Sequence, residues 1–134
     1  ASDAGAHLDF LATFNYSTYL LSAARDRELM TLETAVHKLT DAPARLYGLK
    51  HRGRIEQGWW ADLVVFDAEK VAPKEIEVRT DLPGGGWRLY GEAVGVRHVF
   101  INGEHAVEDG QFTDVRPGTL LRAGRDTDPV SAVG

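Results

Sequence analysis

The sequence contains no cysteine, so disulfide bridges, thiolate metal sites and cysteine nucleophiles are excluded within these 134 residues. No run approaches the ~20 consecutive apolar residues of a membrane span, and no charged-then-apolar leader opens it. Nothing marks export or insertion, and a cytoplasmic location is the expectation. Positive charge is also in deficit. Fifteen Lys and Arg against 20 Asp and Glu leave a formal charge of -5, which removes the general attraction for nucleic-acid phosphates and anionic membranes. The single methionine does not open the chain, and a start at Ala1 that runs straight into a dense polar motif reads as a piece cut from something longer. What is present, 43% hydrophobic and 26% charged residues, is the balance of an ordinary globular protein with room for about one domain.

Along the chain, residues 1–17 have too little apolar periodicity for a helix and read as a loop. Leu20, Leu21 and Ala24 predict a short helix from Thr18 to about Arg27. A second helix is better marked. Thr31 is a hydroxyl N-cap, Leu32, Ala35, Val36 and Leu39 make one apolar stripe, and Glu33 suits the helix dipole in the first turn. Asp41-Ala42-Pro43 restarts a third helix that Gly48 ends. The period then changes. Asp62 to Asp67 is an apolar, partly β-branched strand, and Val96 to Ile101 is another. Asn102-Gly103 turns that strand into Glu104 to Glu108, and Asp109-Gly110 turns again into Gln111 to Thr113, a small meander. Between the strands, Thr80 to Trp87 carries one proline and three glycines and reads as a loop. Residues 123–134 are small and polar and read as a disordered tail.

Few residues suggest chemistry on spacing alone. Asp3 has small neighbours that would admit a ligand or a metal-bound water, but a turn or capping aspartate is the commoner role for such a residue. His7 reads equally as a ligand, an acid or a packing residue. The five histidines, His7, His37, His51, His98 and His105, include no His-x-His or His-x-x-x-His pair able to chelate from one strand or helix, so a complete zinc site within the chain is not expected. Ser2, Ser17 and Ser22 lack the Gly-x-Ser-x-Gly setting of a hydrolase nucleophile, and no lysine follows Gly84-Gly85-Gly86 at P-loop spacing. Trp59-Trp60 reads as a packing pair beside a strand.

Taken together, however, several segments resemble the amidohydrolase superfamily. They are Ser2-Asp3-Ala4-Gly5-Ala6-His7-Leu8-Asp9, Leu32 to Thr40, Pro43-Ala44-Arg45-Leu46-Tyr47-Gly48-Leu49, Gly53-Arg54-Ile55-Glu56-Gln57-Gly58 and Ala61-Asp62-Leu63-Val64-Val65-Phe66-Asp67. Asp81-Leu82-Pro83-Gly84-Gly85-Gly86 and Val99-Phe100-Ile101-Asn102-Gly103 narrow the resemblance to the N-acyl-D-amino-acid deacylase, or D-aminoacylase, branch. The order of the motifs resembles the C-terminal part of such an enzyme, covering residues 1 to about 122.

The resemblance implies an α/β fold. Residues 1–48 would hold the end of the last strand of a (β/α)8 barrel and its closing helices. Residues 49–122 would form part of a small β-sandwich with an inserted Gly-rich loop, and 123–134 the tail. It implies a zinc cofactor at the C-terminal ends of the barrel strands, with its ligands before residue 1 apart from a contact that Asp3 could make. Asp3 would be the general base that takes a proton from metal-activated water and returns it to the leaving amine. Ser2 and His7 are candidates beside the substrate, an N-acyl-D-amino acid. The isolated chain would be inactive, would lack the N-terminal part of the same enzyme as its partner, and would expose the apolar surface that partner covers. Two other readings stay open: an enzyme acting on cyclic amides, hydantoinase-like or dihydroorotase-like, and a non-catalytic β-rich binding or assembly module.

Overall fold

A computed structural model describes residues 11–130. Three helices lead: α1, Tyr16–Asp26, entered through a single 3-10 turn at Thr13–Asn15; α2, Leu32–Leu39; and α3, Asp41–Leu46. The strands follow: β1, Leu63–Phe66; β2, Ala72–Pro73; β3, Glu77–Leu82; β4, Gly86–Tyr90; β5, Ala93–Val94; β6, Val96–Ile101; β7, Glu104–Glu108; and β8, Gln111–Phe112. The architecture is α/β, with an antiparallel four-stranded sheet in the order β1-β6-β7-β8 and two separate two-stranded ribbons, β2-β5 and β3-β4.

Each helix forms where local chemistry favours it. The predicted first helix begins two residues earlier than expected, because the Thr18 hydroxyl donates to the Asn15 carbonyl at 3.1 Å and ties the entry turn to the helix. At α2 the Thr31 hydroxyl accepts from the Thr34 backbone N–H at 3.2 Å, satisfying one of the donors that a helix start leaves free. Past α3, Gly48 adopts φ +63 and the Leu49 N–H reaches back to the Ala44 carbonyl at 2.8 Å, a left-handed stop that a side chain would strain.

Leu21 and Ala24 of α1, Ala35 of α2 and Val71 make the buried core, and Leu20, Met30, Leu32, Val36, Leu39 and Phe66 pack around it. Arg25 fastens this core to the β region. Its guanidinium donates to the carbonyls of Ala68, at 3.1 Å, and Val71, at 3.0 Å, so the end of α1 caps the turn that follows β1.

The meander agrees with its turn chemistry. Asn102 and Gly103 take φ of +51 and +85, and Asp109 and Gly110 take +45 and +78, the left-handed pairs that tight hairpins demand. Two expectations are corrected. Thr80 to Trp87 is not a loop throughout: β3 and β4 pair antiparallel, with Val78 opposite Leu89 and Arg79 opposite Arg88, and only Pro83–Gly85 forms the turn. The strands hold because Asp81 receives both Arg88 Nε, at 2.8 Å, and Arg88 Nη2, at 2.6 Å, contacts that a count of glycines does not reveal. The first part of the expected disordered tail is also placed. The Lys50 N–H donates to the Asp126 carbonyl and the Asp128 N–H to the Gly48 carbonyl, so Leu49 and Thr127 form a bridge that secures residues 126–128 beside α3. Apolar surface is left uncovered, most plainly at Ile55, 90% exposed, and Phe112, 83% exposed.

Candidate functional site

Ser2, Asp3 and His7, the residues singled out from sequence, lie outside the described residues. Within those residues, polar chemistry gathers at four places.

The first is a knot joining the segment before β1 to the β6–β7 turn. Arg52 bridges the Asp62 carboxylate and the Asn102 side-chain oxygen, the second at 2.8 Å, and its guanidinium lies 5.1 Å from the Trp60 ring centre. Asp62 also accepts from the Asn102 backbone N–H at 2.8 Å, and Asn102 donates to the Pro117 carbonyl. These contacts tie the β6–β7 turn to the segment before β1 and to Pro117. Trp59 and Trp60 do pack, but on cations: Arg54 stands 4.8 Å from the Trp59 ring, and Trp60 remains 52% exposed.

The second is Asp41, a buried carboxylate at the start of α3. Arg45 Nε approaches it at 2.8 Å, Arg54 Nε at 3.3 Å and His37 Nδ1 at 3.7 Å. Several donors around one buried anion make a structural anchor. The third is the β3–β4 ribbon and its flank, where ion pairs tune the carboxyls. Arg88 beside Asp81 holds that carboxyl below the usual carboxylate range, and Lys74, assisted by Arg79, does the same for Glu92.

The fourth is a pair that sequence reasoning missed. His98 Nδ1 and His105 Nε2 meet at 3.1 Å across β6 and β7. A search for pairs on one element cannot find them. Folding the sequence about Asn102-Gly103 does, since it sets His105 opposite Phe100, the same-face neighbour of His98. An open apolar groove of about 490 Å³ lies by β8, lined by Ile101, Ala106, Phe112, Val115 and Pro117 among others.

No group of three or more His, Cys, Asp or Glu residues able to hold a metal ion occurs among the described residues. Nor, among the described residues, is any helix long and apolar enough to cross a membrane.

Residues 6–107 match the amidohydrolase family, and the chain belongs to it. It is 43% identical over 98 residues to the N-acyl-D-glutamate deacylase of Alcaligenes xylosoxydans xylosoxydans, an alignment covering 73% of this chain and 18% of that protein. A solved D-aminoacylase, described as defining a novel subset of amidohydrolases, superposes with a TM-score of 0.60 at 36% identity, over 76% of this chain and 20% of that one. The N-acyl-D-glutamate deacylase of Bordetella bronchiseptica, solved with zinc and a phosphonate mimic of the tetrahedral intermediate, superposes with a TM-score of 0.57 at 37% identity, over 79% of this chain and 20% of that one. The chain thus spans about a fifth of the length of the relatives it matches.

Proposed function

We propose that this chain is the C-terminal part of a zinc-dependent amidohydrolase that cleaves the amide bond of N-acyl-D-amino acids, giving a carboxylate and a free D-amino acid. The observation that carries this reading is the 43% identity to a deacylase whose name specifies an N-acyl-D-glutamate substrate, within a family match over residues 6–107. Residues 1–48 would close a (β/α)8 barrel, 49–122 would supply strands of a small β-sandwich, and 123–134 would be the tail. The zinc ligands would lie before residue 1 in the complete enzyme, apart from a contact that Asp3 could make.

Asp3 is the proposed general base, a carboxylate that accepts a proton from the attacking water and hands it to the departing amine. Ser2 and His7 are the candidates for substrate contact, and the cytoplasm is the proposed location. The isolated chain would not turn over substrate.

The test uses the complete enzyme, assayed with N-acetyl-D-glutamate, other N-acetyl-D-amino acids and a hydantoin. Hydrolysis of the acyl-D-amino acids is expected. Asp3→Ala should lower kcat by roughly 10²- to 10⁴-fold, the usual scale for losing a proton-transfer group, with an unchanged unfolding midpoint. Exclusive hydantoin cleavage would overturn the substrate assignment, and unchanged turnover in Asp3→Ala would remove that residue from the chemistry.

A further inference from the structure

The pairing of His98 with His105 is a product of hairpin geometry. Phe100 lies opposite His105 in the β6–β7 register, and side chains alternate along a strand, so His98, Phe100 and His105 share one face. The register shifts between Val99 and Phe100, which brings Glu108 opposite His98 on that same face. The rings are held for the encounter. Phe100 stacks on His105 with ring centres 4.5 Å apart and planes 12° from parallel, while the Thr113 hydroxyl donates to the His105 carbonyl at 2.7 Å. Both histidines are only half-buried, so solutes in water can reach them.

We propose that His98 and His105 form a bidentate site for a borderline transition-metal cation, Zn²⁺, Ni²⁺ or Cu²⁺, which staples β6 to β7. Two imidazole nitrogens that each bind a metal at ~2.0–2.1 Å lie about 3.3 Å apart in a tetrahedral site and about 2.9 Å apart in a square-planar one. The observed 3.1 Å falls between, so the hairpin needs to adjust by only a few tenths of an ångström. Without metal, one ring donates its N–H to the other. On binding, the proton between them moves to the outer nitrogen of its own ring, each facing nitrogen gives a lone pair to the cation, and nothing is oxidised or reduced. Water completes the coordination, and the exposed Glu108 adds negative charge beside the site. This inference stands apart from the deacylase reading, because it uses only residues of the described sheet.

The full-length protein, as purified, is titrated with NiCl2 by calorimetry, alongside His98→Gln, His105→Gln and the double variant. One equivalent present in the parent should weaken about tenfold or more in each single variant, the scale on which losing a supporting group costs metal affinity. The double variant should bind no more weakly than the weaker single, because either loss already destroys the chelate. Ni²⁺ should raise the unfolding midpoint of the parent more than that of any variant. Parent-like affinity in either folded single variant, or losses that add as for independent sites, would overturn the proposal. If one single variant does not fold, the other gives the same reading.

Discussion

Gly95 joins β5 to β6 at the point where the chain returns to the core, and replacing it with alanine tests the packing argument directly. Its backbone adopts φ +77, and its carbonyl accepts from the Asp67 N–H at 2.7 Å. A Cβ at this position would stand 2.6 Å from the Val71 nitrogen and 2.7 Å from its Cα, both backbone atoms that cannot rotate away. Val71 is fully buried in the core, so the displacement has nowhere to dissipate. The left-handed conformation costs an alanine about 1–2 kcal/mol, and forcing a methyl into a filled space adds about 1–3 kcal/mol. Gly95→Ala should therefore lose roughly 2–5 kcal/mol. Gly103→Ala is the control, since Gly103 has φ +85 but open space around its Cβ position, and should lose only about 1–2 kcal/mol. Urea unfolding of the complete protein, followed by the emission of Trp59, Trp60 and Trp87, reads both, provided the slopes agree. Equal losses in the two variants would refute the claim that contact with Val71 sets the cost at Gly95.

Other outcomes follow from the same geometry. Thr31→Ala removes the hydroxyl that accepts from the Thr34 N–H and should destabilise α2 by about 1 kcal/mol, measured by urea midpoint; Thr31→Ser should restore most of it. Asp62→Ala leaves Arg52 and the Asn102 N–H without their carboxylate, and should cost about 1–3 kcal/mol and speed proteolysis at Asn102-Gly103; an unaltered cleavage rate would count against the knot. Asp81 and Glu92 have carboxyls held below their ordinary range, so their contribution is present above the usual carboxylate range and disappears as pH falls through the depressed values. The protection of β3 and β4 amides, taken relative to their intrinsic exchange at each pH, should accordingly fall on acidification below about pH 4. Protection there that rises at pH 2 would contradict the sign.

The helices and the meander were legible because their signals are local. A threonine hydroxyl before an apolar stripe marks α2, and Asn102-Gly103 marks the β6–β7 turn through φ values that few residue types accept. The β3–β4 ribbon was hidden because the three glycines of its turn outweighed flanking residues whose stabilisation comes from cross-strand partners such as Asp81 and Arg88. The same holds for residues 126–128. Their sequence is that of a loose tail, and only the carbonyl and N–H groups of Gly48 and Lys50, distant along the chain, give them partners.

The candidate chemistry divides on the same line. Family membership was legible in the order of short motifs, which the match over residues 6–107 bears out, whereas Asp3 lies outside the described residues and its role stays a proposal. The His98–His105 contact was not legible, because seven residues and a reversed strand separate the two rings. Sequence by itself determined where this chain forms helices and turns, because those depend on neighbours within a few residues. Tertiary structure alone decided which side chains meet, that Val71 closes against Gly95, that Arg25 reaches the turn after β1, and that two histidine nitrogens face each other, because such contacts depend on the register and packing of segments far apart in the chain.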